Sequence, residues 1–239
     1  PLYSSAASDV YKRQATEYVM DLIRSNKLAE AADWLSRFLE IFDRTPELNY
    51  NLAKIYEHRN NLSRALRYAW RAKELKNDYR DAYDLVGNIF FKMQDFDNSY
   101  RAYLKALDLN PTDAQACLNL GCVSFSMRDL VQAEAYWKQA IQFEQDVTEG
   151  PPEQKTSKNE LKVGMTVKVR PISFESHKYL SLLYRKQDRN REALVELEKA
   201  LELRPNETEL CFEIGSLYLD LMERDKAIIF FDRYLTLGG

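Results

Sequence analysis

Residues 80–113 read RDAYDLVGNIFFKMQDFDNSYRAYLKALDLNPTD, and the 34 residues that follow repeat the same pattern of large, small and polar positions. Several pairs that lie 34 residues apart keep the same residue type: Gly87 and Gly121, Tyr103 and Trp137, Ala106 and Ala140. A fixed period of this length is typical of a supersecondary unit copied in tandem, which buries its apolar face only by stacking on its neighbours. The sequence therefore predicts a repeat protein.

The same register accounts for six copies of the unit. They occupy residues 12–45, 46–79, 80–113, 114–147, 174–207 and 208–239. Within each copy, apolar residues recur at the i, i+3, i+4 and i+7 spacing of a helix, over two successive segments. The eighth position is small in most copies, as at Gly87, Gly121 and Gly215, and we expect the two helices to cross closely there. Asp95 and Asp129 lie where each could cap the second helix of its copy.

The unit resembles the tetratricopeptide repeat, whose pattern places a large residue at position 4, Leu at 7, a small residue at 8, Tyr at 11, Ala at 20, an aromatic residue at 24, Ala at 27 and Pro at 32. In the copy at 80–113 those positions hold Tyr83, Val86, Gly87, Phe90, Ser99, Tyr103, Ala106 and Pro111. The resemblance implies an all-α solenoid of about six antiparallel helix pairs, wound into a right-handed superhelix.

One segment breaks the period, because Gly121 and the equivalent Ser181 are 60 residues apart instead of 34. The extra residues form an irregular or β-like insertion at 148–172, between repeats one to four (15–147) and repeats five and six (173–239). Its apolar residues alternate with polar residues or glycine from Leu161 to Val169, which is the pattern of a strand. The segment could form a hairpin, lie along the surface, pair with another chain or remain a loop without a stable ladder. We expect it to be dispensable for folding.

The first residues need separate treatment. Residues 4–14 read SSAASDVYKRQ, which resembles the translation of a sequencing adapter at all eleven positions. Residues 1–14 are therefore interpreted as a non-native segment and left out of the fold prediction. The native N-terminus, with any signal peptide, is then expected to be missing. The competing interpretation is a natural polar tail.

Composition excludes several classes of function. The net charge of −3 gives no electrostatic reason to expect nucleic acid as a partner, and no apolar run is long enough for a transmembrane helix. Three cysteines without framework spacing favour a reducing compartment such as the cytoplasm, with Cys117 and Cys211 as inert core thiols. His177 takes a packing position in its repeat. We find no catalytic constellation, no metal-ligand spacing and no phosphate-binding loop, so we expect no enzyme activity, metal or cofactor.

The resemblance also implies a binding surface, because the first helix of each tetratricopeptide repeat lines a concave groove. The residues predicted to bind a peptide or protein segment there are Tyr50, Asn51, Lys54, Asn88, Phe91, Asn119, Phe125, Tyr179, Arg185 and Phe212, and further groove positions hold Leu182, Lys186 and Leu219. Asparagine side chains can both donate to and accept from a peptide backbone, and exposed aromatic residues can anchor side chains. The alternative is that the aromatic residues are buried between repeats.

Some members of this family bind the C-terminal carboxylate of chaperones through lysine, arginine and asparagine side chains. Here Asn88 and Asn119 match the two asparagines, but Asp84, Glu175 and Tyr179 replace the basic residues, so a chaperone tail is disfavoured as the partner. The sequence thus predicts a non-enzymatic scaffold for protein–protein interaction. The alternative is the repeat arm of a larger enzyme or of an envelope-assembly factor.

Overall fold

The computed structural model describes residue 14 and residues 17–19, 21–42, 44–149 and 171–239. Within these ranges all regular structure is helical, and the predicted all-α architecture of successive helix pairs is confirmed. The adapter-like residues 4–13 and the predicted strand at 161–169 lie outside the described residues. The chain divides into two compact units, one ending at Pro111 and the other beginning at Thr112.

The first unit opens with helical residues at 17–19 and 21–24. Five further helices follow: α1 (Leu28–Ile41), α2 (Pro46–His58), α3 (Leu62–Leu75), α4 (Arg80–Lys92) and α5 (Phe96–Leu109). The second unit contains α6 (Ala114–Ser126), α7 (Leu130–Glu149), α8 (Ile172–Lys186), α9 (Asn190–Leu203), α10 (Thr208–Asp220) and α11 (Arg224–Thr236). Each even-numbered helix is the first helix of a repeat, and it packs against the next helix of its own repeat.

The turn between the two helices of a repeat has the same backbone conformation in every copy. The non-glycine residues with positive φ among those described, at 55° to 65°, are Asn26, Asn60, Gln94, Arg128, Asp188 and Met222. All six occupy position 15 of their copies, including the most divergent copy at 12–45. A left-handed residue ends an α-helix and allows the chain to reverse direction. The backbone therefore supports the six-copy register independently of the side-chain pattern.

The second helices of the repeats begin at side-chain caps in several copies. The carboxylate of Asp95 accepts a hydrogen bond from the backbone N–H of Asn98 at 3.2 Å, and that of Asp129 accepts one from the N–H of Gln132 at 3.0 Å. The capping role predicted for these two aspartates is confirmed. Asn61 caps α3 in the same way, so the turn and the cap together fix where each helix pair bends.

The small residue at position 8 is required because it faces a large ring at position 24 of the same repeat. A Cβ atom added at Gly87 would lie 2.5 Å from the ring of Tyr103, and one added at Gly121 would lie 2.3 Å from the indole of Trp137. Both rings are almost fully buried. The close helix crossing predicted from the glycines is confirmed, and its cause is the aromatic side chain that fills the space between the helices.

The helices on either side of the insertion are joined by a cap. α7 continues to Glu149 and α8 begins at Ile172, so helical structure extends slightly into both ends of the predicted insertion. Pro171 offers no side-chain cap for α8. Instead, the two carboxylate oxygens of Glu144 accept hydrogen bonds from the backbone N–H groups of Ile172 at 2.8 Å and Ser173 at 2.6 Å. A carboxylate at a helix N-terminus is favoured by the helix dipole, so this contact fixes α8 against α7.

Candidate functional site

The ten predicted binding residues all lie on first helices, where α2 and α4 carry five of them in the first unit and α6, α8 and α10 carry five in the second. Arg185 and Phe212 are exposed, and the other eight are partly buried. Each of the eight therefore offers only part of its side chain to a ligand.

In the first unit, Tyr50 and Lys54 contact each other. The Lys54 Nζ atom lies 5.6 Å from the centre of the Tyr50 ring, and that ring lies 5.3 Å from the ring of Tyr79. Asn51 is half-buried beside them. The cation is held against the aromatic face, so this end of the surface combines one positive charge with one aromatic ring.

Asn88 is already engaged within its own repeat. Its side-chain oxygen accepts a hydrogen bond from the hydroxyl of Tyr103 at 2.7 Å. The amide NH₂ group is therefore the part of Asn88 that can bind a ligand, as a donor to a peptide carbonyl. Phe91, one turn further along α4, packs edge-on against Phe96 with 5.7 Å between ring centres.

In the second unit, the predicted residues Phe125 and Tyr179 form a cluster with Trp137. Tyr179 stacks on the indole at 5.3 Å between ring centres, and Phe125 lies 5.7 Å from it. The indole Nε1–H donates to the carbonyl of Leu118 at 3.3 Å. Tyr179 therefore packs on the Trp137 ring of the preceding repeat, which is the alternative given above for the aromatic residues. Part of the Tyr179 side chain nevertheless stays accessible. Trp137 is itself buried and supports this surface from beneath through its contacts with Tyr179 and Phe125.

The cluster presents neutral groups. Burial raises the pKa of the Cys122 thiol to about 11, and burial together with the neighbouring Cys122 and Glu175 raises the pKa of the Tyr179 phenol to about 12. Cys117 and Cys211 are fully buried and free, as predicted for core thiols, and burial raises the Cys117 pKa to about 12. The thiols are therefore protonated and poorly nucleophilic at neutral pH.

The remaining predicted residues lie nearer to solvent. Asn119 accepts a hydrogen bond from the side chain of Gln115 at 3.0 Å on the same helix. Phe212 is 50% exposed, although its ring contacts Phe231 and Tyr234 on α11. Arg185 is exposed in the last turn of α8.

A pocket of about 490 Å³ opens where the ends of α6 and α8 meet, and it is lined by Phe125, Ser126, Arg128, Leu130 and Lys186. The Lys186 Nζ atom lies over the Phe125 ring, 4.4 Å from its centre. Arg128 was absent from the predicted surface because it lies in the turn after α6, outside the groove positions of the repeat. Arg128 has the left-handed backbone conformation of position 15, and it lines the pocket from this turn.

A second pocket, of about 630 Å³, lies in the first unit along α3. Its lining includes Leu66, Arg67, Trp70 and Arg71 together with Asn49 of α2. Asn49 occupies position 4, where the repeat normally has a large residue, and its side chain donates to the carbonyl of Thr45 at 2.9 Å. The smaller side chain is consistent with the open space beside it.

His177 is a buried packing residue, as its repeat position predicted. Its Nδ1 atom lies 2.5 Å from Oε2 of Glu196, and Oε1 of the same carboxylate accepts a hydrogen bond from Lys199. Since an ionised carboxylate can only accept, the histidine is the donor. Burial opposes ionisation of Glu196, but these hydrogen bonds and the nearby positive charges outweigh it, so the pKa of the carboxyl is lowered. The pair joins α8 to α9.

Among the described residues, no group of three or more histidine, cysteine, aspartate or glutamate side chains is arranged to hold a metal ion. No helix in the described ranges combines the length and apolarity that crossing a membrane requires.

The helix pairs, their common turn and the ring-against-glycine packing define a helical-repeat protein. The family model described as TPR repeat matches residues 87–127, and the model described as tetratricopeptide repeat matches residues 180–207 and 208–237. These matches support a protein of the tetratricopeptide repeat family. A comparison with curated protein sequences gives no match.

Solved structures of the family have the same fold. YrrB, described as a TPR protein with an unusual peptide-binding site, aligns with a TM-score of 0.58 and 18% identity over 87% of this chain and 93% of its own. MamA from Desulfovibrio magneticus aligns with a TM-score of 0.64 and 15% identity over 82% of this chain and 96% of its own. A thermophilic TPR protein of Thermus thermophilus aligns with a TM-score of 0.61 and 20% identity, over 87% of this chain and 98% of its own. At these identities the likeness concerns the fold.

Proposed function

We propose that this protein is a non-enzymatic scaffold that binds a peptide or protein segment along the first helices of its repeats. Tetratricopeptide repeat proteins generally serve protein–protein interaction. We further propose that the segment contacts the ten predicted residues. The peptide-binding site described for YrrB is a precedent within the same fold.

The observation that carries the proposal is the exposure of large apolar side chains on the first helices of the second unit. Leu182 on α8 is 42% exposed, and Phe212 and Leu219 on α10 are 50% and 46% exposed. All three occupy groove positions of the repeat. Apolar side chains grouped on one surface favour association with another protein, because their burial releases ordered water.

Polar groups at other predicted positions supply the directional contacts that a peptide backbone needs. The amide of Asn119 and the NH₂ group of Asn88 can each donate to a peptide carbonyl. Because the oxygen atoms of both amides already accept hydrogen bonds, the two side chains are held in fixed orientations. Such pre-organisation lowers the entropic cost of binding.

The test compares two apolar residues of similar exposure on adjacent helices. Leu182 lies at a groove position of α8, whereas Val195, 47% exposed, lies on the second helix α9. A partner is first isolated by affinity purification of the unmodified chain from its source cells, and its affinity for each variant is then measured by calorimetry. Leu182→Glu should weaken binding by roughly tenfold or more, because it buries a charge in an apolar contact.

Val195→Glu is the matched control and should leave the affinity unchanged. Both variants should keep the helical circular dichroism of the unmodified protein, since both positions face solvent. If Val195→Glu weakened binding and Leu182→Glu did not, the binding surface would lie on the second helices and the proposal would be wrong.

A further inference from the structure

Two lysines at the same repeat position have different partners. Lys92 and Lys186 both occupy position 13, at the end of α4 and of α8. Each reaches back to position 12 of the preceding repeat. The Lys92 Nζ atom forms an ion pair with Oε1 of Glu57 at 2.6 Å, whereas Lys186 meets the ring of Phe125 at 4.4 Å. The first unit therefore supplies a carboxylate to its lysine, and the second unit supplies an aromatic face.

The positive charge of Lys186 is not isolated. Arg185 precedes it on α8, and Arg128 lines the same pocket from the turn after α6. Across the part of the chain that the structure describes, no ion pair joins any of these three cations to a carboxylate. The carboxylate of the neighbouring Asp129 accepts the hydrogen bond that caps α7. Two cations, Lys186 and Arg128, thus line the pocket with the Phe125 ring, and the exposed Arg185 lies next to Lys186 on α8, on a protein whose net charge is −3.

We propose that Lys186 and Arg128 bind an acidic side chain of the peptide held by the second unit, with Phe125 as the apolar floor of the site and Arg185 as a further positive charge beside Lys186 on α8. The bound carboxylate takes the place that Glu57 occupies beside Lys92. This inference rests on the proposed function, because it concerns the same surface, and it adds the chemistry of the partner: an acidic segment in which aspartate or glutamate alternates with small or apolar residues.

Charge complementarity favours this occupant over a neutral peptide. A carboxylate in this pocket is attracted by both Lys186 and Arg128, although water and salt screen each contribution. Phe125 and Leu130 supply the apolar contact for the stem of the acidic side chain. The ring of Phe125 also holds the Lys186 ammonium group in place before a ligand arrives, through a cation–π contact.

The experiment uses two labelled peptides and fluorescence anisotropy. The probe is a short peptide of alternating glutamate and alanine, and its control has glutamine in place of every glutamate. The unmodified protein should bind the glutamate peptide at least about tenfold more tightly at low salt, and the preference should shrink as salt is added. Equal affinity for the two peptides, or binding of neither, would overturn the inference.

Two variants locate the site. Lys186→Met keeps an apolar stem over Phe125 and should weaken binding of the glutamate peptide by roughly threefold to fivefold. Phe125→Glu reproduces the arrangement of Glu57 and Lys92, so it supplies the carboxylate internally and should weaken binding by about tenfold or more. Circular dichroism confirms that each variant is folded, and Lys186→Met keeps the test valid if Phe125→Glu fails to fold.

Lys92→Met is the matched control, since that lysine already has a carboxylate partner. It removes the same charge from the chain as Lys186→Met and should leave binding of the glutamate peptide unchanged. An equal loss in both variants would show that the peptide responds only to net charge, and the inference would fall. The comparison of Leu182→Glu with Val195→Glu judges the proposed function separately, because it uses the natural partner and no acidic probe.

Discussion

Replacing Gly121 with alanine should destabilise the second unit, because the added methyl group has no space. An ideal Cβ at this position would lie 2.3 Å from Nε1 and 2.4 Å from Cδ1 of Trp137. The indole is 1% exposed and is held on the other side by stacking against Tyr179. Relief of the overlap requires either the helices to separate or the indole to move away from its hydrogen bond to Leu118.

The expected magnitude combines three terms. Inserting a methyl group into a closely packed core costs about 1–3 kcal/mol. Loss or lengthening of the indole hydrogen bond costs about 0.5–1.5 kcal/mol. The higher helix propensity of alanine offsets about 1 kcal/mol. The free energy of unfolding should therefore fall by about 0.5–3.5 kcal/mol.

Urea unfolding followed by circular dichroism and by tryptophan fluorescence gives the measurement, and Gly215→Ala provides the matched control. At Gly215 the added atom would lie 2.8 Å from Phe231, whose ring is partly exposed on α11 and can shift. The control should change stability by less than about 1 kcal/mol, because the gain in helix propensity offsets the mild contact. A neutral or stabilising Gly121→Ala would refute the argument that Trp137 fixes the distance between α6 and α7.

Three further predictions concern the cap, the buried carboxylate and the insertion. Glu144→Ala should lower the free energy of unfolding by about 1–2 kcal/mol, since two backbone N–H groups of α8 lose their acceptor; the exposed Gln142→Ala is the control, and an equal effect would contradict the capping role. Because folding lowers the pKa of the Glu196 carboxyl, its contribution is present above the ordinary pKa of about 4.3 and is lost as the pH falls through the lower folded-state pKa. Glu196→Gln should therefore flatten the acid side of a plot of unfolding free energy against pH, and an unchanged slope would count against this coupling. Deletion of residues 146–171 restores the 34-residue spacing, so it should preserve helical circular dichroism and a cooperative thermal transition; loss of both would show that the insertion is needed for folding.

The sequence predicted the fold well because each repeat encodes its own packing. Gly121 and Trp137 are 16 residues apart, and their pairing recurs at Gly87 and Tyr103. Such a pairing is local, so the residue pattern alone reveals it. The positive φ at position 15 was not predicted, because residues as different as Asn60 and Met222 occupy that position. There the surrounding helix pair imposes the backbone conformation.

The candidate surface was predicted less completely, because repeat position indicates which helix face a residue lies on but not what it contacts. Asn88 lies on the predicted helix, yet its side-chain oxygen is occupied by Tyr103. The contribution of Trp137 depends on stacking with Tyr179, which comes from the next repeat and from beyond the insertion. Contacts between repeats depend on the exact stacking distance, and a single sequence does not give that distance.

The stacking across the insertion is nevertheless the same as the stacking of uninterrupted repeats. Lys92 and its partner Glu57 are 35 residues apart, and Lys186 and its partner Phe125 are 61 residues apart. The difference of 26 equals the excess over 34 in the spacing of Gly121 and Ser181, so the same pair of repeat positions meets in both units. Since Glu144 closes the base of the insertion by capping α8, the extra residues need not separate the helices on either side. The chain can therefore carry an insertion between its fourth and fifth repeats while the surface that spans those repeats keeps the same pairing of positions. What distinguishes the second unit from the first is then position 12, where Phe125 stands in place of a carboxylate.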